Sequence, residues 1–167
     1  MIYFTSDTHF RDSRVLRIDR RPFASMAEHD AEVIRLWNEV VAPEDEVWHL
    51  GDFARGDAET ISTLLAGLNG RKHLIIGNND GPVTLAAKDW ASVQHYVELS
   101  VEGRMVILCH YPFRTWNQIG KGSINLHGHS HGRLKPVPRQ FDVGVDAQDL
   151  RPATLAQILA RRRRRKA

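Results

Sequence analysis

The sequence predicts an α/β fold, and three observations lead to this class. In the first half, short β-rich runs alternate with amphipathic helical segments, an order that favours parallel strands joined by right-handed crossovers. In the second half, strand-like runs follow one another without long helices, which favours antiparallel or mixed pairing. The chain of 167 residues is long enough to bury one hydrophobic core. We therefore expect one domain over residues 1–160.

The first half contains three predicted strands and two predicted helices. The strands are Ile2–Thr5, Glu46–Leu50 and Lys72–Ile76. Residues 11–21 are charged and favour a loop or a short helix. Ser25 and Glu28 then form a capping-box pattern, apolar residues follow at a spacing near 3.6, and Pro43 ends this helix. The second helix is predicted from Asp57 to Leu68.

The second half contains four predicted strands and a last helix. The strands are Val93–Leu99, Met105–Cys109, Ile124–His127 and Phe141–Val145. The helix begins at Leu155 and leads into a run of six basic residues, Arg161 to Lys166. Removing these six from the 23 basic residues leaves 17 against 20 acidic ones, so the body carries about −3. We expect residues 161–167 to form a disordered basic tail, with contact to nucleic acid or another polyanion as the alternative.

The composition excludes several classes of protein. No apolar run approaches the roughly 20 residues of a membrane helix, so no membrane contact is expected. The first residues lack the basic and apolar regions of a signal peptide. One cysteine excludes an internal disulfide framework and says nothing about oligomeric state. Together these features predict a cytoplasmic location.

Potential metal ligands follow five of the strand-like runs. These motifs are Asp7-Thr8-His9, Gly51-Asp52, Gly77-Asn78-Asn79-Asp80, Cys109-His110 and Gly128-His129-Ser130-His131. Side chains at the carboxyl ends of strands in an open α/β sheet converge at one edge. Asp, Asn and His without a thiolate suit a divalent metal such as Mn, Fe or Zn. Because one ion needs fewer ligands than this, the set indicates a two-metal hydrolase.

Each motif alone has an ordinary structural alternative. Asp52 is also a reasonable helix cap, and the segment from Gly77 to Gly81 has the composition of a turn. Asp7 and His9 are common near turns, and histidines between glycines occur on surfaces without a role. The joint order of all five motifs favours a functional site.

In this order the five motifs resemble the calcineurin-like metallophosphoesterase superfamily, and above all its small bacterial and phage members. The segment from Phe141 to Asp146 extends the resemblance. It implies a four-layer α/β/β/α sandwich of two mixed sheets, of the metallo-dependent phosphatase type, with the site at the sheet edge. It also implies two divalent metal ions, with Mn expected and Fe, Zn or Ni as alternatives.

The resemblance further implies a division of the metal ligands. The first ion would take Asp7, His9 and His131, and the second would take Asn78, His110 and His129. Asp52 would bridge them, and a hydroxide between the ions would attack phosphorus in line.

One departure from the family pattern concerns the general acid. Many members carry a histidine after the motif asparagine, whereas this chain has Asn79. An amide does not donate a proton usefully, and general acid catalysis is worth roughly 10²–10⁴-fold. His127 and Asp80 are the alternative acids. We predict Asp52, Asn78, Asn79 and His127 as the catalytic residues.

A second departure lies near the first motif, where Arg11-Asp12 replaces the Gly-His of similar small members. This change is expected to alter the substrate rim and to leave the metal ligands in place. Other candidate rim residues are Arg55, Tyr111, Arg114 and Trp116. We expect His49 and His73 to be structural, and His29 and His95 to lie on the surface.

These observations predict a dinuclear metal-dependent phosphoesterase that hydrolyses phosphodiesters. A phosphomonoesterase acting on a small substrate is the first alternative. A non-catalytic metal-binding scaffold is the second, because the superfamily includes a scaffold subunit with a degraded site. A basic-tailed nucleic-acid-binding protein is the third. The expected partner is a phosphoester substrate, with nucleotides and nucleic acids as candidates.

Overall fold

The computed structural model describes residues 1–164, and two β-sheets form its centre. Within these residues the strands, in chain order, are β1 (Ile2–Thr5), β2 (Glu46–His49), β3 (Arg71–Ile75), β4 (Ser92–Gln94), β5 (Tyr96–Val101), β6 (Arg104–Cys109), β7 (Ile124–His127), β8 (Gln140–Asp142) and β9 (Ala153–Thr154). The helices are α1 (Arg14–Ile18), α2 (Met26–Val40), α3 (Ala58–Gly67), α4 (Pro82–Ala86) and α5 (Leu155–Arg164). Two 3-10 turns lie at Ile119–Lys121 and Val145–Ala147.

The sheet topology confirms the predicted contrast between the two halves of the chain. The first sheet has the order β4-β3-β2-β1-β9, and its strands are parallel except for β9. The second sheet has the order β5-β6-β7-β8, in which only β5 is antiparallel to its neighbour. The protein is therefore an α/β fold of two mixed sheets.

The hydrophobic core has two parts, one on each face of the first sheet. Between the two sheets, Phe4 and Ile75 of the first sheet join Leu108 and Leu126 of the second in one cluster of buried side chains. On the outer face, β1, β2 and β3 pack against α2 and α3, and Trp37 is fully buried there. This layering is consistent with the four-layer sandwich.

Both long helices of the first half begin as the sequence predicts. The Ser25 hydroxyl accepts a hydrogen bond from the Glu28 N–H at 3.2 Å, and the Glu28 carboxylate accepts from the Ala24 N–H at 2.8 Å. Asp57 accepts from the Thr60 N–H at 2.9 Å. These contacts satisfy backbone donors that have no partner inside a first helical turn.

Two strand predictions need correction. The predicted strand Val93–Leu99 is two strands that belong to different sheets: β4 pairs with β3, and β5 pairs with β6. The chain changes sheet at His95. Gln94 and His95 are consecutive polar residues in an otherwise alternating run, a signal too weak to place the break from the sequence. The predicted strand Phe141–Val145 ends at Asp142, because Val145 already begins a 3-10 turn.

The boundary predicted between the domain and the basic tail is also different in the structure. Helix α5 continues through Arg161 to Arg164, because arginine is a good helix former. Arg161 forms an ion pair with Asp149 at 2.7 Å. Residues 165–167 of the predicted tail lie outside the described residues. Among the helices that are described, none has the length and apolar character needed to cross a bilayer.

His49 is a buried histidine that joins the ends of β1 and β2 beneath the site. Its Nδ1 accepts a hydrogen bond from the Gly51 N–H at 3.2 Å, so the proton of the neutral ring is on Nε2. Nε2 lies 2.9 Å from the Thr8 hydroxyl, which in turn donates to the Phe53 carbonyl at 2.8 Å. Burial lowers the pKa of His49 to about 3, which keeps the ring neutral.

This neutral ring predicts a measurable acid sensitivity of the metal-free protein. Below pH 6.5 the unfolded chain protonates His49 and the folded chain does not, so stability falls until the folded pKa of about 3 is reached. At about pH 5 this group accounts for about 2 kcal/mol. In His49→Gln, the difference in unfolding free energy between about pH 7.5 and about pH 5 should shrink by that amount in urea titrations. The exposed His95→Gln is the control, and equal differences in both variants would contradict the assignment.

Candidate metal centre

The carboxyl ends of five parallel strands meet at one edge of the two sheets. The Asp7 N–H after β1 donates to the Gly51 carbonyl after β2 at 2.9 Å. The Gly128 N–H after β7 donates to the His110 carbonyl after β6 at 3.0 Å. These backbone contacts bring motifs together that are far apart in the sequence.

Two groups of three ligand atoms lie at this edge, and the atoms of each group are within 4.8 Å of one another. The first group is Asp7, His9 and His131, and the second is Asp7, Asp52 and His110. Asp7 belongs to both groups, and all of these residues except His131 are buried.

The Asp52 carboxylate, a member of the second group, also faces a histidine of the first group. Its Oδ2 is 3.5 Å from Nε2 of His9 and 3.7 Å from Nε2 of His110. Asn79 fixes the same carboxylate, because its N–H donates to Oδ1 at 2.7 Å and its Nδ2 donates to Oδ2 at 2.6 Å. Asp52 thus faces histidines from both groups in one orientation.

The unprotonated ring nitrogen of His110 faces the side-chain oxygens of Asn78 and Asp52, which are also acceptors. Its Nδ1 donates to the Leu50 carbonyl at 2.6 Å, so Nε2 of the neutral ring has no proton. Burial lowers the pKa of His110 and keeps the ring neutral. Nε2 nevertheless lies 2.9 Å from the side-chain oxygen of Asn78. A cation between these acceptors relieves their repulsion.

His9 gives a second indication that the residues fit a metal. Its Nε2 is buried and has no hydrogen-bond partner within the described residues. Burial lowers the pKa of His9 to about 4, so the ring does not neutralise nearby Asp52 by taking up a proton. A buried imidazole nitrogen that has no hydrogen-bond partner and lies close to carboxylates suits a divalent cation. The donor set present therefore fits the metal ions that the fold implies.

Asp146 and Arg21 orient His131 through Nδ1, the ring nitrogen that does not face Asp7. Nδ1 of His131 donates to Asp146 at 2.7 Å, which directs Nε2 toward Asp7. Asp146 accepts from Nε and Nη2 of Arg21 at 3.0 and 2.8 Å. Burial by itself raises the pKa of Asp146, but the hydrogen bonds from His131 and Arg21 outweigh it, so the pKa lies below its usual range. Arg21 also donates to the carbonyls of Asp7 and Thr8 at 2.6 and 2.8 Å.

The sequence analysis missed Arg21 and Asp146 as site residues and was wrong about His29. His29 is fully buried: its Nε2 faces Arg21 at 2.8 Å and its Nδ1 faces Asp30 at 2.8 Å. Arg21 and Asp146 are 125 positions apart in the sequence, so no local pattern joins them. The available signal was the segment ending at Asp146, which extended the resemblance.

His129 and His127 lie outside both groups of three. The His129 N–H donates to both carboxylate oxygens of Asp7, at 3.1 and 3.0 Å, and its ring centroid is 5.2 Å from that of His110. Nδ1 of His127 donates to the Gly128 carbonyl at 2.8 Å. His127 and Asp142 are among the residues that line a cavity of about 160 Å³.

Asp80 acts within the structure as an orienting carboxylate. It accepts three backbone N–H groups, from Asp52 and Phe53 at 2.9 Å and from Gly77 at 2.8 Å. These bonds tie the loop after β2 to the loop after β3. Burial raises the pKa of Asp80 in spite of these bonds.

The predicted rim residues differ in their exposure. Tyr111 is 46% exposed, and its ring lies 4.8 Å from that of His129. Arg55 and Arg114 are exposed. Trp116 is buried and donates from Nε1 to the Ser123 carbonyl at 3.4 Å, so the prediction that it lies at the rim is wrong. Its apolar ring is buried against its own loop.

Five of the seven predicted metal ligands have a left-handed backbone. Their φ values are 57° for Asp7, 49° for His9, 58° for Asp52, 65° for His129 and 47° for His131. This conformation costs an ordinary residue roughly 1–2 kcal/mol. Such strain concentrates where the surrounding structure forces a functional orientation.

Glycines permit the loops to approach one another at the site. A Cβ on Gly77 would lie 2.5 Å from the backbone nitrogen of Asp52 and would also meet its carboxylate. A Cβ on Gly51 would lie 2.6 Å from Cα of Gly77. The position of Asp52 therefore depends on the absence of a side chain at Gly77.

Comparison with known proteins gives three further findings. The sequence model of the calcineurin-like phosphoesterase superfamily domain matches residues 1–137. The gene 66 proteins of Mycobacterium phages D29 and L5 are 33% and 30% identical to this chain over 184 and 179 residues. The matches cover 90% and 87% of this chain, and 91% and 86% of the phage proteins. A protein of unknown function from Aquifex aeolicus has the same fold: its crystal structure gives a TM-score of 0.77 at 22% identity, covering 96% of this chain and 98% of that one.

The close approach at Gly77 predicts a specific loss of metal binding. In Gly77→Ala the new methyl group displaces Asp52, and we expect the affinity for Mn²⁺ in calorimetry to fall by about tenfold or more. Gly81→Ala is the matched control, because its Cβ meets no atom within 4 Å. Equal affinities in two variants with native circular dichroism would refute this role for Gly77.

Proposed function

The chain belongs to the calcineurin-like phosphoesterase superfamily and is a metal-dependent phosphoesterase, and from that premise we propose that it hydrolyses phosphodiesters at two divalent metal ions. One observation carries the proposal: Oδ2 of Asp52 lies within 3.7 Å of Nε2 of both His9 and His110. A carboxylate in that position is suited to contact two cations at once. Its negative charge offsets their mutual repulsion.

Asp52 would contact both ions, and the other predicted ligands would be divided between them. In this proposal Asp7, His9 and His131 bind the first ion, and Asn78, His110 and His129 bind the second. Two such ions would lower the pKa of a shared water and would neutralise phosphate oxygens. Nitrogen and oxygen ligands suit Mn²⁺, with Fe, Zn and Ni as alternatives.

The chain's own residues set the geometry of the reaction. Asn79 donates two hydrogen bonds to Asp52 and so orients it. An amide supplies no proton to the leaving oxygen. We propose that the leaving group departs without strong acid assistance, and that nucleotides and short nucleic acids are the first substrates to test. His127 is not proposed as the acid, because its Nδ1 donates to the Gly128 carbonyl and the residue lies outside both groups of three ligands.

The alternative hypothesis, a non-catalytic metal-binding scaffold, is less well supported. A degraded site loses ligands, whereas all seven ligand positions here carry oxygen or nitrogen donors.

The proposal is tested by the hydrolysis of bis(p-nitrophenyl) phosphate by metal-stripped protein with and without Mn²⁺. We expect activity only with added metal ion, because the attacking water would be activated by the bound metal ions. Asp52→Asn removes the charge between the two groups of ligands and should lower the rate by at least about 10²-fold. Activity on p-nitrophenyl phosphate alone would favour the phosphomonoesterase. No activity with Mn²⁺, Fe²⁺, Zn²⁺ or Ni²⁺ across the pH range would favour the scaffold.

A second prediction concerns the leaving group. Because Asn79 is not an acid, the rate for a series of aryl phosphodiesters should fall steeply as the pKa of the leaving phenol rises. Asn79→His should flatten this dependence and raise the rates of the poorest leaving groups. A flat dependence in the wild-type protein would show that another acid exists. A slope that then steepened in His127→Gln would assign that acid to His127.

A further inference from the structure

Asp12 anchors two arginine side chains beside the metal centre. Its carboxylate is only 3% exposed. It accepts hydrogen bonds from Nε and Nη2 of Arg14, at 2.9 and 2.6 Å, and from Nε of Arg55 at 3.0 Å. These three hydrogen bonds from charged donors hold the carboxylate in one orientation.

The two arginines are connected to the candidate metal ligands. Nη2 of Arg14 donates to the side-chain oxygen of Asn79 at 3.1 Å, and Asn79 donates to Asp52 at 2.6 Å. Oδ2 of Asp12 lies 3.5 Å from Nδ1 of His9. The Arg14 guanidinium is therefore two hydrogen bonds from Asp52, and Asn79 lies between them.

Both guanidinium groups keep donors that face solvent. The Arg14 and Arg55 side chains are 47% and 51% exposed. Within the described residues, Nη1 of Arg14 and both Nη atoms of Arg55 make no hydrogen bond. Two guanidinium charges face one carboxylate, so the group carries a net positive charge. Arginine forks of this kind match the geometry of phosphate oxygens.

We propose that Arg14 and Arg55, anchored on Asp12, form an anion subsite that binds a second phosphate group of the substrate. The proposal rests on the phosphoesterase function above, which assigns the reacting phosphate to the metal ions. Asn79 separates the arginines from Asp52, so a phosphate at the subsite is a different group from the reacting one. The substrates favoured are phosphoesters that carry a further phosphate on the Asn79 side.

The subsite acts by binding and not by proton transfer. Arginine stays protonated at every pH at which the protein is folded. Its contribution is therefore a charge-assisted hydrogen bond to an anion, which is worth about tenfold or more in affinity. The nearby Asn79 amide adds no charge. Selectivity for a second phosphate should consequently depend on the two arginines.

The test compares two ligands that chelate metal ions weakly, n-propyl phosphate and 1,3-propanediol bisphosphate. Their affinities for the Mn²⁺-loaded protein are measured by calorimetry for wild type, Arg14→Gln, Arg55→Gln and Arg14→Lys. Arg35→Gln is the matched control, because Arg35 also pairs with carboxylates, Glu32 and Glu39, but lies on α2. We expect wild type to prefer the bisphosphate by about tenfold or more.

The variants separate a binding role from a structural one. Arg14→Gln and Arg55→Gln should each lose most of this preference while n-propyl phosphate still binds within about twofold of wild type. Arg14→Lys should retain part of it, because the charge remains but the fork is lost. Equal losses for both ligands would mean that the arginines only support the fold of the site, and the proposal would be wrong.

The failure of this proposal can be told apart from failure of the phosphoesterase function. If bis(p-nitrophenyl) phosphate is hydrolysed and the wild-type protein shows no preference for the bisphosphate, the subsite is refuted and the activity stands. If the preference is present and depends on the arginines but no ester is hydrolysed, the subsite stands as a binding site.

Discussion

Repulsion among buried acceptor groups is the constraint on which the rest of the structure depends. The Asp7 and Asp52 carboxylates face the lone pairs of His9 and His110, with few protons available to separate them. Burial raises the pKa of Asp7 well above its usual range, although His131 lowers it, so the metal-free centre attracts a proton. A divalent cation offsets the same repulsion more completely, because it accepts electron pairs from several of these atoms at once.

The surrounding residues hold these groups together in spite of that repulsion. The buried Arg21 binds Asp146 and two backbone carbonyls of the first motif, and Asp80 binds three N–H groups from two loops. Asn79 fixes Asp52 in the same manner. These bonds offset the strain of the left-handed backbone at ligands such as Asp7 and His9. The site is therefore built by its supporting hydrogen bonds as much as by its ligands.

Asp12 extends this network of hydrogen bonds toward Arg14 and Arg55, the proposed anion subsite. It lies next to His9 and also accepts hydrogen bonds from two arginines, so one buried carboxylate contacts both a candidate metal ligand and two exposed, positively charged side chains. A chain with Gly-His at positions 11 and 12 would lack this anchor. Arg11-Asp12 leaves the seven predicted metal ligands unchanged but adds a carboxylate that holds two arginines beside them. Because Arg14 also donates to Asn79, both departures from the family pattern belong to one local network of hydrogen bonds.

The sequence by itself determined the elements that depend on local patterns. Capping at Ser25 and Asp57, the 3.6-residue spacing and the alternation of strands and helices gave the parallel half of the fold, and strand ends located Asp7, Asp52 and His110. Tertiary structure alone decided the change of sheet at His95, the burial of His29 and Trp116, and the pairing of Arg21 with Asp146. The physical reason is that hydrogen-bond partners and burial depend on residues distant in sequence, whereas periodicity and capping depend only on neighbours.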